Sequence, residues 1–397
     1  MKIGIDVRYL SHGIIGGVRN YVAHFVSSLV EIAGAHQLML YADTKRPFEL
    51  DAAKFPSNVT VRLLPYRNAL SSIQLDVGLG REMARDKVEV AHFPANYGFA
   101  PAGIKTIVTL HDAINVLPLR RIIGDGGSRR NPRWIAMMTY LHFCSVAAVK
   151  RADLLLTVSE HARHDIARTC GFDVARIVAV PHAPTQDMRR MDMSRADDRQ
   201  RLEDVRAKYE LPPHFVVADG LKNPAVLVRA WRLLAPALRQ DRKLVFFCRH
   251  EPLPVVREAV QEGIAVLLTR PPREDLVALY NMADAFAFPS WFEGFGIPVL
   301  EAMACGAPVI ASDRYAIPEV VGNAGLVADA EDEQAFARHL TAVLGSEAEA
   351  NRLRQLGCAR AAQFSWHDTA KRILHSYEQV GALGPAGRVP LQSQSTV

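Results

Sequence analysis

The chain is poor in cysteine, and its few cysteines form no motif. It has five among 397 residues, and they are widely separated: Cys144, Cys170, Cys248, Cys305 and Cys358. The absence of a C-x-x-C pair argues against a disulfide framework and favours free thiols in a reducing compartment.

Long hydrophobic runs are also missing. No stretch reaches about 18 consecutive apolar residues, so the sequence predicts no membrane-spanning helix. The opening residues MKIGIDVRYL carry one lysine and then a strand-like alternation, instead of the apolar core of a signal peptide. Together these absences predict a cytoplasmic protein.

Two cofactor motifs are absent as well. No G-x-G-x-x-G fingerprint with an acidic partner is found, which argues against a dinucleotide-dependent oxidoreductase. The acidic cluster DAEDE at 329–333 lies at a predicted helix start and contains no Asp-x-Asp pair between strands. We therefore expect no cofactor and no catalytic metal.

The composition is that of a globular protein with a full core, since 49% of the residues are hydrophobic and 22% are charged. A single core rarely exceeds roughly 250–300 residues, so the chain length predicts two domains. The formal net charge of +5 is a mild indication of a partner with phosphates or of an anionic membrane surface.

Short apolar runs typical of strands alternate with amphipathic segments of helical length. The predicted strands are 2–6, 37–42, 59–64, 88–93, 106–110, 152–158, 176–180, 214–219, 243–248, 264–269, 284–290, 307–312 and 324–328. This alternation is typical of parallel sheets covered by helices on both faces. The predicted fold class is therefore α/β, with two Rossmann-like, doubly wound domains.

Residues 183–201 are polar and lack a strand pattern, as interdomain linkers do. We predict an N-terminal domain over 1–190, a C-terminal domain over 191–365 and a final helix over 366–382. The tail 383–397 has no core-forming pattern and is predicted to be disordered.

Two glutamates bracket a turn between a predicted strand and a predicted helix. Glu293 and Glu301 enclose Gly294, Gly296 and Pro298. Glycine lets a ligand approach the backbone closely, and proline suits the first helical turn. We expect exposed amides at this helix start, which form an anion site, and we expect Glu301 in the first turn.

Carboxylates on both sides of such amides suit a ligand that has hydroxyls at two ends and phosphates between them. This combination indicates a sugar nucleotide. The alternative for Glu301 is that it only stabilises the helix dipole.

The stretch FPSWFEGFGIPVLEAMACGAPVIASD resembles the signature of the retaining glycosyltransferases of family four. That family has the GT-B fold, in which two Rossmann-like domains face a central cleft and the final helix crosses back to the N-terminal domain. The resemblance implies that Glu293 contacts the transferred sugar and Glu301 the nucleotide ribose. It also implies that the backbone along the turn faces the donor, at Gly294, Phe295, Gly296, Ile297 and Val299.

Three other segments resemble the same family. GGVRNYV resembles its glycine-rich loop, which implies that Gly17 contacts the donor; the alternative is a turn that needs small residues. TLHDAI resembles its His-Asp pair, which implies a catalytic role for His111, against the alternative of a structural histidine. LKNPAVLV implies that Lys222 neutralises the leaving diphosphate.

The sequence departs from the family pattern in one place. Relatives usually carry an arginine about five residues before the lysine, whereas this chain has Val-Ala-Asp at 217–219. Either Arg249 or Arg270, each at the end of a predicted strand, replaces that cation, or the donor is held differently, or activity is low. The sequence that begins at Arg270 also resembles the family segment whose backbone contacts the nucleotide base. His182 is assigned only to a loop or hinge.

The predicted function is metal-independent, retaining transfer of a hexose from a nucleoside diphosphate sugar to a hydroxyl of a glycan or lipid-linked acceptor, in bacterial surface polysaccharide synthesis. The alternatives are a natural-product glycosyltransferase, a sugar-phosphate phosphorylase or nucleotide-sugar isomerase, and a catalytically silent nucleotide-sugar binding subunit. No nucleic acid partner is expected.

A basic, partly apolar region, PLRRIIGDGGSRRNPRWIAMMTYLHF at 118–143, suits contact with an anionic membrane or a lipid-diphosphate acceptor. Its arginines are Arg120, Arg121, Arg129, Arg130 and Arg133. The alternative is a solvated loop that leads into a core helix.

Overall fold

The structure is a computed structural model that describes residues 1–12, 16–124 and 131–383, without the side chains of residues 69 and 70. Arg129 and Arg130 of the predicted basic loop lie outside the described residues. The predicted disordered tail lies outside them too, apart from residue 383.

The chain divides into two compact units. We call Met1–His182, together with the residues from Trp366 onward, the N-terminal unit, and Ala183–Ser365 the C-terminal unit.

The strands of the described chain are β1 (Lys2–Asp6), β2 (Gln37–Asp43), β3 (Val59–Leu64), β4 (Val90–Phe93), β5 (Lys105–Thr109), β6 (Leu154–Thr157), β7 (Ile177–Ala179), β8 (His214–Asp219), β9 (Arg242–Cys248), β10 (Ala265–Thr269), β11 (Ala285–Phe288), β12 (Val309–Ser312) and β13 (Leu326–Ala328). The helices are α1 (Gly17–Ile32), α2 (Ala69–Arg85), α3 (Leu119–Gly124), α4 (Pro132–Arg151), α5 (Glu160–Cys170), α6 (Ala196–Lys208), α7 (Pro224–Leu233), α8 (Pro236–Arg239), α9 (Pro254–Gln261), α10 (Arg273–Met282), α11 (Ile297–Ala304), α12 (Ile317–Val321), α13 (Glu333–Leu344), α14 (Glu347–Ala361) and α15 (Trp366–Gly381).

Each unit contains one parallel sheet. The N-terminal unit has seven strands in the order β3-β2-β1-β4-β5-β6-β7, and the C-terminal unit has six in the order β10-β9-β8-β11-β12-β13. The strand order therefore reverses between β1 and β4 in one sheet and between β8 and β11 in the other. Such a reversal is the switch point of a doubly wound sheet.

The predicted fold class is confirmed. All predicted strands are present, with ends that differ by at most two residues. In most of them the central residues are apolar and fully buried, as in Ile3, Val108, Val216 and Phe286. Continuous apolar runs of this length suit strands covered by helices on both faces, which is why the pattern alone identified them.

The division between the units falls earlier than the predicted domain boundary. Residues 183–190, which we assigned to the N-terminal domain, belong to the C-terminal unit. The reason is local bonding: Arg189 forms an ion pair with Asp198 at 2.7 Å, and its carbonyl accepts a hydrogen bond from Asn281. Part of the predicted linker is also helical, because α6 begins at Ala196.

No helix in the described part of the chain combines the length and the apolar character needed to cross a bilayer.

Candidate functional site

The carboxyl ends of β8 and β11 are adjacent at the switch point of the C-terminal unit. Two loops leave the sheet there, residues 220–223 after β8 and residues 289–296 after β11. Ligands of doubly wound sheets bind at this position. The first loop contains Lys222 and the second contains Glu293, two of the residues that the sequence singled out.

Gly296 makes the turn from the second loop into α11 possible. Its φ is +105°, and a Cβ atom there would lie 2.8 Å from Cδ1 of Ile317. A side chain at this position would therefore be strained in two ways. Pro298 lies in the first turn of α11, as predicted. Gly294 is outside the positive-φ region, so the conformational argument holds for Gly296 alone.

Glu293 and Lys222 form an ion pair, with 2.7 Å between Nζ of Lys222 and Oε1 of Glu293. The hydroxyl of Ser290 donates to the same oxygen at 2.9 Å. Ser290 is itself held, because its carbonyl accepts from the hydroxyl of Ser312 at 2.7 Å. The carboxylate thus has a fixed orientation while the lysine end remains partly open to solvent.

Asn223 ties the two loops together. Its backbone is left-handed, with φ of +54°, a conformation that asparagine tolerates better than most residues. The side-chain amide donates to the carbonyls of Pro289, at 3.0 Å, and Ala330, at 2.8 Å. These bonds hold the backbone next to Lys222 against the start of the Glu293 loop. The sequence had not indicated this role.

Glu301 lies in the second turn of α11, because the helix begins at Ile297. The expectation that it stands in the first turn was wrong, and a role limited to the helix dipole loses its basis. Its side chain is almost completely buried, and Oε1 accepts from Nη2 of Arg273 at 2.9 Å.

Arg273, the first residue of α10, is the partner that the sequence did not reveal. It also contacts Asp187, with 3.1 Å between Nε and Oδ2, and the hydroxyl of Thr185. Burial raises the pKa of Glu301, and the positive charge of Arg273 opposes that shift. Of the two carboxylate oxygens, the described residues bond Oε1 and leave Oε2 without a hydrogen bond among them.

The backbone of the turn offers fewer amides than we expected. The amide of Val299 donates to the carbonyl of Gly296 at 3.0 Å, so it is used inside the turn. The side chain of Phe295 is buried and lies near the ring of Phe364, with 6.0 Å between centroids. Ile297 is half-buried. A contact of Phe295 with a ligand is therefore restricted to its backbone.

Two arginines stand at the same edge of the sheet as Lys222. Arg249 follows β9 and Arg270 follows β10, and both are exposed. Arg270 has a left-handed backbone, with φ of +50°, and its Nε donates to the carbonyl of Arg249 at 3.2 Å. Among the described residues, no ion pair or side-chain hydrogen bond engages the guanidinium of Arg249.

The positive charge of Arg249 acts on the carboxylates around the two loops. Burial raises the pKa of Asp219, and Lys222 and Arg249 oppose that shift. Arg249 is likewise one of the charges that oppose the raised pKa of Glu301. Arg249 therefore belongs electrostatically to this site.

In the N-terminal unit, His111 follows β5 and is half-buried. Its Nε2 lies 3.0 Å from the carbonyl oxygen of Pro94, which can only accept, so Nε2 carries the proton. Burial lowers the pKa of His111 to about 4. The histidine is therefore neutral at pH 7, with Nδ1 as an acceptor.

Gly17 is the first residue of α1. A Cβ atom there would have no neighbour within 4 Å among the described residues. Packing inside the described structure does not require glycine at this position, so the alternative of a turn that needs a small residue gains no support.

Sequence reasoning missed a group of buried rings in the N-terminal unit. His182, assigned only to a loop or hinge, is buried, and its ring stacks on Tyr21 with 5.0 Å between centroids. Trp366 lies 5.7 Å from the same ring. His92 bonds the hydroxyls of Tyr377, at 2.7 Å, and Thr109, at 2.8 Å. Tyr21 lies in GGVRNYV and Thr109 in TLHDAI, but neither motif indicates these contacts, because the partners are far away in the sequence.

Two family models match the chain. Residues 15–183 match the model described as Glycosyltransferase Family 4. Residues 216–358 match the model described as Glycosyl transferases group 1. The two matches fall on the two sheets of the structure.

Curated relatives include the serotype-specific mannosyltransferase WbdA of Escherichia coli, 28% identical over 287 residues that cover 70% of this chain and 34% of the relative. The O-antigen chain mannosyltransferase B of Escherichia coli is 33% identical over 57% of this chain and 61% of the relative. The chain thus spans between a third and three fifths of the length of these relatives.

Solved structures share the fold. Sucrose-phosphate synthase from Thermosynechococcus elongatus has a TM-score of 0.68 at 19% identity, with 96% of this chain and 99% of that chain covered. WaaG, described as a glycosyltransferase of lipopolysaccharide biosynthesis, has a TM-score of 0.65 at 14% identity, with 94% and 99% covered. HepE from Anabaena, in complex with UDP-glucose, has a TM-score of 0.65 at 14% identity, with 95% and 99% covered. The chain belongs to the family-four glycosyltransferases and has their GT-B fold.

Proposed function

We propose that this protein transfers a hexose from a nucleoside diphosphate sugar to a hydroxyl of a glycan or lipid-linked acceptor, with retention of configuration, in bacterial surface polysaccharide synthesis. The observation that carries the proposal is the ion pair of Lys222 and Glu293 at the switch point of the second sheet, beside the turn at Gly296. The pair supports the proposal because a cation suits phosphate and a neighbouring carboxylate suits sugar hydroxyls.

The proposed donor lies along the carboxyl edge of the second sheet, and its ribose, diphosphate and sugar each face the residues that suit their chemistry. Oε2 of Glu301 accepts a ribose hydroxyl while Arg273 holds Oε1. The diphosphate lies near Lys222 and the backbone between Gly294 and Ile297. Glu293 accepts hydroxyls of the transferred sugar. Bound donor takes the lysine from Glu293, because the diphosphate as a whole carries more negative charge than one carboxylate.

The reaction breaks the bond between the anomeric carbon and the diphosphate oxygen, and it forms a bond from that carbon to the acceptor oxygen on the same face. The acceptor proton passes to the leaving diphosphate. Negative charge therefore grows on the diphosphate, and preorganised positive groups stabilise it, which is often the largest contribution to catalysis. We propose that Lys222 supplies this charge without a metal ion.

We propose Arg249 as the second cation. It stands at the same sheet edge, no described side chain engages its guanidinium, and its charge acts on Asp219 and Glu301. Arg270 is the weaker candidate, because its guanidinium donates to the backbone of Arg249. This arrangement explains how the chain manages without the arginine that relatives carry before the lysine. Arg270 is left to contact the base through its backbone.

Gly17 and His111 keep the roles that the resemblance implies, donor contact and catalysis. Neutral His111 suits this proposal, because its unprotonated Nδ1 can accept a hydrogen bond from a substrate hydroxyl.

Mannose is the first sugar to test, since WbdA and the O-antigen chain enzyme are mannosyltransferases. The experiment is isothermal calorimetry with a panel of nucleoside diphosphate sugars that includes nucleoside diphosphate mannoses and UDP-glucose. NMR of the product from the sugar that binds then gives the anomeric configuration. We expect one donor to bind and its α-configuration to be kept. Binding of no donor contradicts the proposed function, and an inverted product contradicts retention.

The proposal includes activity at a membrane surface, because a lipid-linked acceptor is anchored in the membrane. The cytoplasmic location stays a prediction from the sequence.

A further inference from the structure

Large apolar side chains are exposed along two neighbouring helices of the N-terminal unit. On α2 they are Ile73, with 46% of its surface exposed, and Val77, with 59%. On α4 they are Met137, with 50%, and Phe143, with 61%. Scattered exposed apolar residues are ordinary, but a cluster of them marks an interaction surface.

The exposed residues of α4 lie on one side of the helix. They recur at positions 132–133, 136–137, 143 and 150–151, and at 100° per residue these positions fall within one broad stripe. Arg133 stands at one end of the stripe, Lys150 and Arg151 stand at the other, and Met137 and Phe143 lie between them. From the start of α4 to Cys144 no residue is buried.

A groove of about 460 Å³ runs between α2 and α4. Val77 and Phe143 form its walls, and the loop with Phe99 and Pro101 closes it. Gly80 lets α2 approach that loop, since a Cβ atom there would lie 2.0 Å from the carbonyl oxygen of Phe99. Arg81 and Arg151 complete the lining, so the groove has an apolar interior with cationic groups at its rim.

The charge of this surface has one sign. The segments α3 and α4 contain five basic residues and no acidic one: Arg120, Arg121, Arg133, Lys150 and Arg151. The acids of α2 already have partners. Asp76 is buried and accepts from Arg8 and two tyrosine hydroxyls, and Glu82 forms ion pairs with Arg62 and Arg85.

We propose that the face formed by α2, α3 and α4 docks on a bilayer rich in anionic phospholipid. Met137 and Phe143 enter the headgroup region while the basic residues on both sides contact lipid phosphates. An apolar stripe with arginine and lysine at its margins is the pattern of helices that lie in the membrane interface, and basic residues near an anionic leaflet add attraction. A second copy of the chain fits worse, since self-association would set like charges against each other.

The proposal deepens the proposed function, because it names the surface that meets a membrane holding the acceptor. The test is co-sedimentation of the full chain with vesicles of phosphatidylcholine alone and of phosphatidylcholine mixed with phosphatidylglycerol. We expect binding to the mixed vesicles only, and less of it as salt rises. The double variant Arg133→Gln/Lys150→Gln should bind roughly 25-fold more weakly, at about fivefold for each charge.

The matched charge control is Arg338→Gln/Lys371→Gln, which removes the same two charges from side chains that are 67% and 59% exposed elsewhere. Met137→Ser/Phe143→Ser tests the apolar part, with Leu233→Ser, exposed on α7, as its control. Circular dichroism checks folding.

Equal losses in the test and control variants would overturn the proposal, as would no binding to the mixed vesicles at low salt. Self-association that depends on Phe143 would overturn it in favour of a dimer. Vesicle binding by a chain that binds no donor would leave the proposal standing and remove the proposed function.

Discussion

The C-terminal unit keeps its candidate site in two short loops at one edge of a sheet, whereas the N-terminal unit joins polar groups from distant parts of its chain. Lys222 and Glu293 meet because the strands that precede them are neighbours. His92 meets Tyr377, from the far end of the chain, only because α15 folds onto the first sheet. A site of the first kind leaves a motif in the sequence, and a site of the second kind does not.

The two units also treat charge differently. The C-terminal unit pairs its carboxylates with cations that remain partly exposed, as in Glu301 with Arg273. The N-terminal unit buries Arg8 between Asp6 and Asp76, at 2.7 Å and 2.8 Å, and it buries neutral histidines. Arg8 is therefore a stabilising charge, whereas the partly exposed Lys222 and the exposed Arg249 are charges available for binding.

Among variants that separate ligand binding from stability, we expect the largest loss of binding at Arg249. The variant Arg249→Gln should weaken calorimetric binding of the nucleoside diphosphate about 10- to 100-fold, the value of a charge-assisted hydrogen bond, and leave the melting temperature unchanged. The control Arg257→Gln removes an arginine of α9 that is paired with Glu251. A larger loss in Arg270→Gln than in Arg249→Gln would mean that the other arginine is the second cation.

A smaller effect is expected in acid, and it should appear in the N-terminal unit. Burial lowers the pKa of His92 to about 3, that of His111 to about 4, and that of His182 well below its usual range. As the pH falls below about 6.5, the unfolded chain binds protons that the folded unit does not. The stability due to these histidines is therefore complete above pH 6.5 and is lost as the pH falls toward 4.

Hydrogen exchange of the full chain at pH 7 and pH 5, corrected for intrinsic rates, checks this result. Peptides from β4 and α15 should lose protection at pH 5, while peptides from β8 and β11 should not. The histidines of the described C-terminal unit, His214, His250 and His339, are not buried. Equal losses in both units would contradict the expectation.

The sequence predicted the strands well because a short apolar run in an α/β protein usually forms a buried strand. It singled out Glu293, Lys222 and Glu301 as candidates because they stand in contiguous motifs. It did not predict that Arg273 holds Glu301, nor that Asn223 joins the two loops, because such contacts depend on side chains from separate elements. The helix start was misplaced relative to Glu301, since loop residues and first-turn residues have similar composition.

In the proposed function, Glu293 binds the sugar while Lys222 binds the diphosphate. The measurement is calorimetry of the wild type and Glu293→Gln with the donor sugar nucleotide and with the matching nucleoside diphosphate. Donor affinity should fall about 10- to 100-fold, because charged hydrogen bonds to the sugar are lost. Affinity for the diphosphate alone should rise about two- to fivefold. In the variant, Lys222 no longer has to break its ion pair with residue 293 before it binds phosphate, and such a pair is worth at most about 1 kcal/mol. Equal losses for both ligands, or no change in either, would contradict these roles of Glu293 and Lys222.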